Sequence, residues 1–169
     1  NDFGGRIESD DVEKELSNLI SSLRNDNFVE TGLYVHNNKG IYMKRFIKDV
    51  LKMDMSEEEL ESAKVFREYR IDNNRRIDIA ISTINHFIPI EAKIYAGEQE
   101  NQCFDYAKAA KNSKVYYLTR FGDFPSDYSA NGLTKQGKGY LEISCISFSE
   151  DIINWLESCV CQSETIKIA

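Results

Sequence analysis

Three consecutive short stretches between residues 65 and 94 have the composition of β-strands, and they limit the fold more than any other feature of the chain. In the second stretch, Ile77, Ile79 and Ile81 alternate with other side chains, and the third is rich in β-branched residues. Alternation with a period of two is typical of β-strands, and short polar turns separate the stretches. The stretches are residues 65–71, the segment containing Ile77, Ile79 and Ile81, and residues 87–94. They predict a β-hairpin followed by a third strand.

The rest of the chain has the periodicity of helices, with two further strands near its C-terminal end. Before residue 65 we predict three helices: from Asp10 or Asp11 to Arg24, over 41–53, and from Ser56 onward. After residue 94 we predict a helix over 98–110, a strand over 115–119, a loop over 122–139, a strand over 141–148 and a closing helix capped by residues 149–151. This order predicts an α/β fold, with a mixed central β-sheet of about five strands flanked by helices.

Length and charge limit the domain count and the type of partner. A chain of 169 residues has room for one domain with one hydrophobic core. The net charge of −7 argues against a protein that coats nucleic acid with its whole surface. Residues 64–138, however, hold twelve Lys and Arg against nine Asp and Glu, whereas both ends are acidic. The basic middle is either a face that meets phosphate groups or an ordinary solvated surface.

The cysteines, histidines and apolar runs exclude several classes of protein. Four Cys are too few and too clustered for a disulfide framework, and two His are too few for a His-based triad or a His-rich zinc site. The apolar runs are too short to span a membrane, and no signal peptide is present. We therefore expect reduced thiols and a cytoplasmic protein. Because the chain begins at Asn1 rather than Met, we also expect that its native termini were trimmed.

Three ionisable residues interrupt the Ile-rich strands: Asp78 in the second strand, and Glu91 and Lys93 in the third. Side chains alternate along a strand, so Glu91 and Lys93 share one face, and the tight connection pairs their strand with that of Asp78. Charges in the middle of a sheet are costly to desolvate without a partner. Mg²⁺ or Mn²⁺ would compensate the carboxylates, and Lys93 could then orient an attacking water and offset charge on a phosphoryl oxygen. The alternative is a salt-bridge cluster on a solvated sheet face.

The next predicted helix carries Gln102 and Tyr106, which are four residues apart and therefore share a face. They either point toward the same site or only pack in the core. The complete pattern is Asp78, then Glu91-Ala92-Lys93, then Gln102-x-x-x-Tyr106. In this order and strand context it resembles the PD-(D/E)XK nuclease superfamily, in a bacterial branch that carries a Q-x-x-x-Y motif.

The resemblance implies a restriction-endonuclease-like core over 64–160, a helical part of the same domain over 1–63 and a truncated tail over 161–169. It also implies a nuclease that hydrolyses DNA phosphodiester bonds with Mg²⁺ or Mn²⁺. The metal ligands it implies are Asp78, Glu91, the Ala92 carbonyl and an additional acid, for which Glu68 fits better than Glu15. The catalytic residues it implies are Asp78, Glu91 and Lys93, with Gln102 and Tyr106 supporting the site or contacting substrate.

Two alternatives stay open from the sequence. Arg75 and Arg76 are candidates for contact with nucleic acid, or they only flank a turn. The chain could also keep the nuclease fold without catalysis, as a nucleic-acid-binding or protein-interaction module of a larger bacterial defence or repair protein. The target, the choice of DNA over RNA and the oligomeric state do not follow from the sequence.

Overall fold

The computed structural model describes residues 40, 42–72, 74–138 and 141–166, with side chains of the last helix as far as Cys159. The described residues from Gly40 onward form one compact unit. The predicted helix over residues 10–24, and Glu15 on it, lie outside the described residues. Within the described part, no helix has both the length and the apolar character needed to cross a membrane.

The centre of the unit is a mixed five-stranded sheet whose strands lie side by side in chain order. The strands are β1 (Lys64–Arg70), β2 (Arg76–Ser82), β3 (Phe87–Lys93), β4 (Val115–Thr119) and β5 (Ile143–Ser147). The first three strands pair antiparallel, and β3, β4 and β5 pair parallel. This sheet confirms the predicted restriction-endonuclease-like α/β architecture, with strand ends within two residues of those predicted.

Short α-helices and π-helical turns accompany the sheet in the part of the chain that the structure describes. They are the π turn Phe46–Val50, α1 (Glu57–Glu61), α2 (Gln102–Ala109), α3 (Asp127–Ala130), the π turn Phe148–Ile152 and α4 (Ile153–Ile166). Ser56 caps α1 as predicted, because its side chain accepts a hydrogen bond from the Glu59 amide at 3.3 Å.

Three local predictions need correction. Helix α2 begins at Gln102 rather than at residue 98, because Asn101 adopts a left-handed conformation with φ 56° that interrupts helical geometry. The predicted loop 122–139 contains the short helix α3. The cap of the closing helical segment is Ser147 rather than Ser149, since Ser147 Oγ accepts from the Asp151 amide at 3.2 Å.

The centre of the sheet is covered on both faces, so most of β3 is buried, whereas β1 is exposed along its whole length. On one face, Cys103, Tyr106 and Ala107 of α2 belong to the same apolar cluster as Val115, Tyr117 and Ile143 of the sheet. On the other, the hydroxyl of Tyr116 donates to the carbonyl of Leu51 at 2.8 Å. Each fully buried Ile or Leu stabilises such a core by roughly 1.5–3 kcal/mol.

Helix α1 is tied to the turn between β2 and β3 through one carboxylate. Glu59 accepts hydrogen bonds from the hydroxyl of Thr83 at 2.6 Å and the amide of Asn85 at 3.2 Å, and lies 2.5 Å from His86 Nδ1. The hydrogen bond from Thr83, followed by that from His86, lowers the pKa of Glu59 to about 2. The β2–β3 turn is therefore held at the end of the hairpin remote from Asp78 and Lys93.

Candidate active site

The site begins where the pairing of β2 with β3 ends. The backbone register runs from Ser82 opposite Phe87 to Ile79 opposite Ile90. At the next position along β2, a side chain replaces the backbone in the contact between the strands. Oδ2 of Asp78 accepts a hydrogen bond from the Ala92 amide at 3.0 Å. Asp78 is thereby held against the strand segment that carries Glu91.

Glu91 is a fully buried carboxylate, with 0% of its surface exposed. Its Oε1 lies 2.6 Å from the ammonium of Lys93, and its Oε2 has no hydrogen-bond partner among the described residues. Burial, followed by the charge of Asp78, raises the pKa of Glu91 to about 7, although Lys93 acts in the opposite direction. The protein thus keeps an under-compensated acid in its interior, which costs stability.

This burial excludes the alternative of a solvated salt-bridge face for Glu91. An orphaned carboxylate oxygen beside a second carboxylate is a donor set that suits a hard divalent cation. Within the described ranges, no group of three or more His, Cys, Asp and Glu side chains is placed to hold a metal ion. Asp78 and Glu91 offer two carboxylates to such a cation, and a backbone carbonyl such as that of Ala92 would be a further oxygen.

Glu68 lies one strand further out and is not gathered into the same cluster. In the β1–β2 register its neighbours pair with Ile77 and Ile79, which places Glu68 opposite Asp78 on the far side from Glu91. Its side chain is exposed and lies 3.0 Å from the guanidinium of Arg76. Its φ of 48° is in the left-handed region, which is unusual within a strand.

Gln102 and Tyr106 join α2 to β2 at the level of the site. Gln102 Nε2 donates to the Tyr106 hydroxyl at 3.0 Å, and that hydroxyl donates to the carbonyl of Arg76. Both side chains are buried. Burial raises the pKa of Tyr106, and the charges of Glu91 and Asp78 add to this rise, so the hydroxyl keeps the proton that it donates. The pair is placed to support the strand that carries Asp78.

The two neighbouring arginines have different surroundings. Arg75 donates to Asp105 at 3.1 Å, to Gln99 at 2.9 Å and to the carbonyl of Glu100. Its guanidinium therefore holds the segment that leads into α2. Arg76 is half-exposed and is bound to the exposed carboxylate of Glu68, so it is the one of the two arginines that faces solvent.

Glu98 is a residue of this region that the sequence patterns did not single out. Its carboxylate accepts hydrogen bonds from the Tyr117 hydroxyl at 2.9 Å, and from the Ser126 amide at 2.9 Å and hydroxyl. Burial alone would raise the pKa of Glu98, but the bonds from Ser126 and Tyr117, with the charge of Lys93, lower it overall. Tyr117 is the register partner of Glu91, so Glu98 contacts a residue that lies next to Glu91 on the neighbouring strand.

The fold and the site together define a restriction-endonuclease-like α/β protein with two carboxylates and a lysine at the ends of two adjacent strands. A family model described as the PD-(D/E)XK nuclease superfamily matches residues 5–168. The chain belongs to this superfamily, and the predicted resemblance is confirmed at that level. Membership indicates a nuclease, and therefore a nucleic-acid substrate, in a superfamily whose members generally use divalent metals. No curated protein and no solved structure matches the chain.

Proposed function

We propose that this protein is a metal-dependent nuclease that hydrolyses DNA phosphodiester bonds, with Mg²⁺ or Mn²⁺ held by Asp78 and Glu91. The observation that carries the proposal is the buried carboxylate of Glu91, which has an orphaned oxygen and lies between Asp78 and Lys93. Burying such a group without a function would only destabilise the fold.

The donor set favours a hard cation over a soft one. Asp78 and Glu91 offer carboxylate oxygens, and the Ala92 carbonyl is the third oxygen that we assign to the site. Cys103 on α2 is fully buried, and burial raises its pKa to about 12, so it is not available as a thiolate ligand. When bound, the cation would polarise a phosphoryl oxygen and lower the pKa of a bound water, which makes that water a better nucleophile.

The chain's own residues have separable roles in this proposal. Asp78 is fixed by the Ala92 amide, so its free oxygen has a defined direction. Lys93 holds an ammonium at the edge of the buried site, where it can donate to a phosphoryl oxygen and offset charge that develops during hydrolysis. Gln102 and Tyr106 hold β2 in place through the carbonyl of Arg76. Glu68 and Arg76 lie further out, toward the solvent.

The test combines metal binding with cleavage. Calorimetry with Mn²⁺ should detect binding to the wild type, and Asp78→Asn and Glu91→Gln should each weaken it strongly. The same two variants should lose cleavage of plasmid and oligonucleotide DNA in Mg²⁺. Glu142→Gln, which alters a carboxylate paired with Lys114 at the far end of the sheet, is the matched control and should keep both properties.

Two results would contradict the proposal. If both Asp78→Asn and Glu91→Gln still cleave DNA, neither carboxylate is needed for catalysis. DNA binding by a wild-type protein that neither binds Mn²⁺ nor cleaves would instead identify a non-catalytic nucleic-acid-binding module.

A further inference from the structure

Exposed aromatic side chains are concentrated beyond the end of the sheet where the candidate site lies. Tyr95, Phe121, Tyr128 and Phe124 are 72%, 65%, 58% and 37% exposed, and we call these four residues the aromatic rim. The remaining exposed aromatic residues of the described part, Phe66 and Tyr69, pack on each other on β1, with ring centres 5.6 Å apart.

The strand register places the rim next to Lys93. Lys93 and Thr119 are partners at the ends of the parallel strands β3 and β4. Tyr95 and Phe121 each follow one of these partners by two residues, so each α-carbon lies within about 7 Å of the end of its strand. The backbone of both segments therefore leaves the sheet at the edge where Glu91 and Lys93 lie.

The other two members of the rim lie on a segment that is fixed to this edge. Glu98 holds Ser126 through two hydrogen bonds, and the Asn101 amide donates to the Tyr128 carbonyl at 2.7 Å. The Asp123 amide donates to the hydroxyl of Thr119 at 2.8 Å. The segment that carries Phe124 and Tyr128 is thus tied at one end to β4 and at the other to the residues between β3 and α2.

Basic groups lie over two of the rings. The guanidinium of Arg120 lies 5.0 Å from the ring centre of Phe121, and the ammonium of Lys135 lies 5.8 Å from that of Phe124. Asp123 and Asp127 in the same segment balance these two charges. The segment therefore exposes flat aromatic rings but carries little net positive charge. Aromatic rings of this kind bind unpaired bases by stacking.

We propose that the aromatic rim stacks unpaired nucleotides of the DNA that enters the site, so that the preferred substrate is single-stranded DNA or the unpaired part of a partly duplex DNA. The occupant follows from membership in a nuclease superfamily and from the position of the rim beside Lys93. The link between stacking and cleavage rests on the proposed function. Bases inside an intact duplex are stacked on one another and cannot present their faces to these rings.

The first experiment measures binding in EDTA, where it does not depend on cleavage. Fluorescence anisotropy should show tighter binding of a short oligothymidylate than of a blunt duplex of equal length. Phe121→Ala with Tyr128→Ala should weaken binding of the single strand by about tenfold or more, since each stacked base contributes roughly 1–3 kcal/mol. Phe66→Ala with Tyr69→Ala removes the same two residue types from β1 and should leave this affinity unchanged.

Two further measurements separate stacking from a change in folding. Phe121→Tyr with Tyr128→Phe keeps both rings and should bind as the wild type does. The fluorescence of 2-aminopurine placed in the strand should fall on binding to the wild type and to this ring-preserving variant, and should stay high with the alanine variant.

The outcomes distinguish the rim from the proposed function. If the wild type and both alanine variants bind the single strand with equal affinity, the proposal that the rim stacks bases is wrong, whatever the cleavage result. A preference of the wild type for the blunt duplex would also overturn it. If binding depends on the rim but the protein does not cleave DNA in Mg²⁺, base stacking by the rim is supported and the proposed nuclease chemistry is contradicted.

Discussion

Replacing Glu91 by Gln should stabilise the protein at neutral pH when no divalent cation is present. The pKa of this buried carboxyl is raised from 4.5 to about 7, first by burial and then by Asp78. A pKa that is higher in the folded than in the unfolded chain means that folding favours the protonated acid. The resulting penalty is absent below pH 4.5, grows between pH 4.5 and 7, and is fully present above that window.

The size of the effect follows from proton linkage. Each tenfold change in proton affinity corresponds to about 1.4 kcal/mol, so the rise in pKa corresponds to about 3 kcal/mol near pH 7.5 and less than about 1 kcal/mol near pH 5. Gln resembles the protonated acid, because it keeps one oxygen that can face Lys93 and adds a donor that can face Asp78. For a chain of this size, about 3 kcal/mol raises Tm by roughly 6–12 °C.

Thermal unfolding in EDTA at these two pH values checks this reasoning. Glu91→Gln should melt well above the wild type near neutral pH and close to it near pH 5. The control Glu142→Gln removes a partly exposed carboxylate that pairs with Lys114 at 2.6 Å, and it should change the free energy of unfolding by less than about 1 kcal/mol. If Glu91→Gln is no more stable than the wild type near neutral pH, Lys93 compensates the carboxylate fully and the argument is wrong.

Three further predictions test other parts of the site. Lys93→Ala should keep Mn²⁺ binding in calorimetry but lower the rate of DNA cleavage by about 100-fold or more, whereas Lys114→Ala should keep the wild-type rate; equal loss of DNA affinity and rate would make Lys93 a phosphate anchor instead. Arg76→Ala should reduce the slope of log affinity against log salt by about 1, whereas Arg75→Ala should chiefly lower Tm, and reversed effects would contradict their assignment. Tyr106→Phe should cost about 1–3 kcal/mol in chemical denaturation, because Gln102 Nε2 and the Arg76 carbonyl lose their buried partner; an unchanged stability would show that the pair is not a support.

The sheet and its central pair of strands could be predicted because their signals are local. Alternation along residues 76–82, the β-branched content of residues 87–93 and the short turn between them place Asp78 near Glu91 without any knowledge of the rest of the chain. The tight hairpin turn predicts antiparallel pairing of β2 with β3. The helix between β3 and β4 is the crossover that parallel pairing of these two strands needs, so the order of elements predicts a mixed sheet.

The features that escaped prediction depend on distant partners. Alternation shows that Glu91 and Ile90 face opposite sides, but only the position of α2 decides that both sides are buried. From the sequence, Glu98 is expected to be an acidic residue in the first turn of a helix. Its carboxylate instead accepts hydrogen bonds from Ser126, which is 28 residues away. The left-handed Asn101 between Glu98 and α2 leaves no trace in the periodicity, because one polar residue does not change the spacing of the apolar positions around it. The aromatic rim, similarly, is assembled from loops whose proximity follows from strand register.

The contrast between the local hairpin and the distant crossover has a consequence for the order of folding. Asp78 and Glu91 are thirteen residues apart on adjacent antiparallel strands, so they meet as soon as the β2–β3 hairpin forms, an event that takes roughly 1–10 μs in small hairpins. We expect the cover over Glu91 to form later, because α2 packs on a cluster that includes β4, and β4 joins β3 by a long-range parallel pairing. The charge is therefore desolvated in the slow step. Refolding followed by stopped flow in EDTA should accelerate as pH falls from 7 toward 4.5, and this acceleration should be absent in the Glu91→Gln variant.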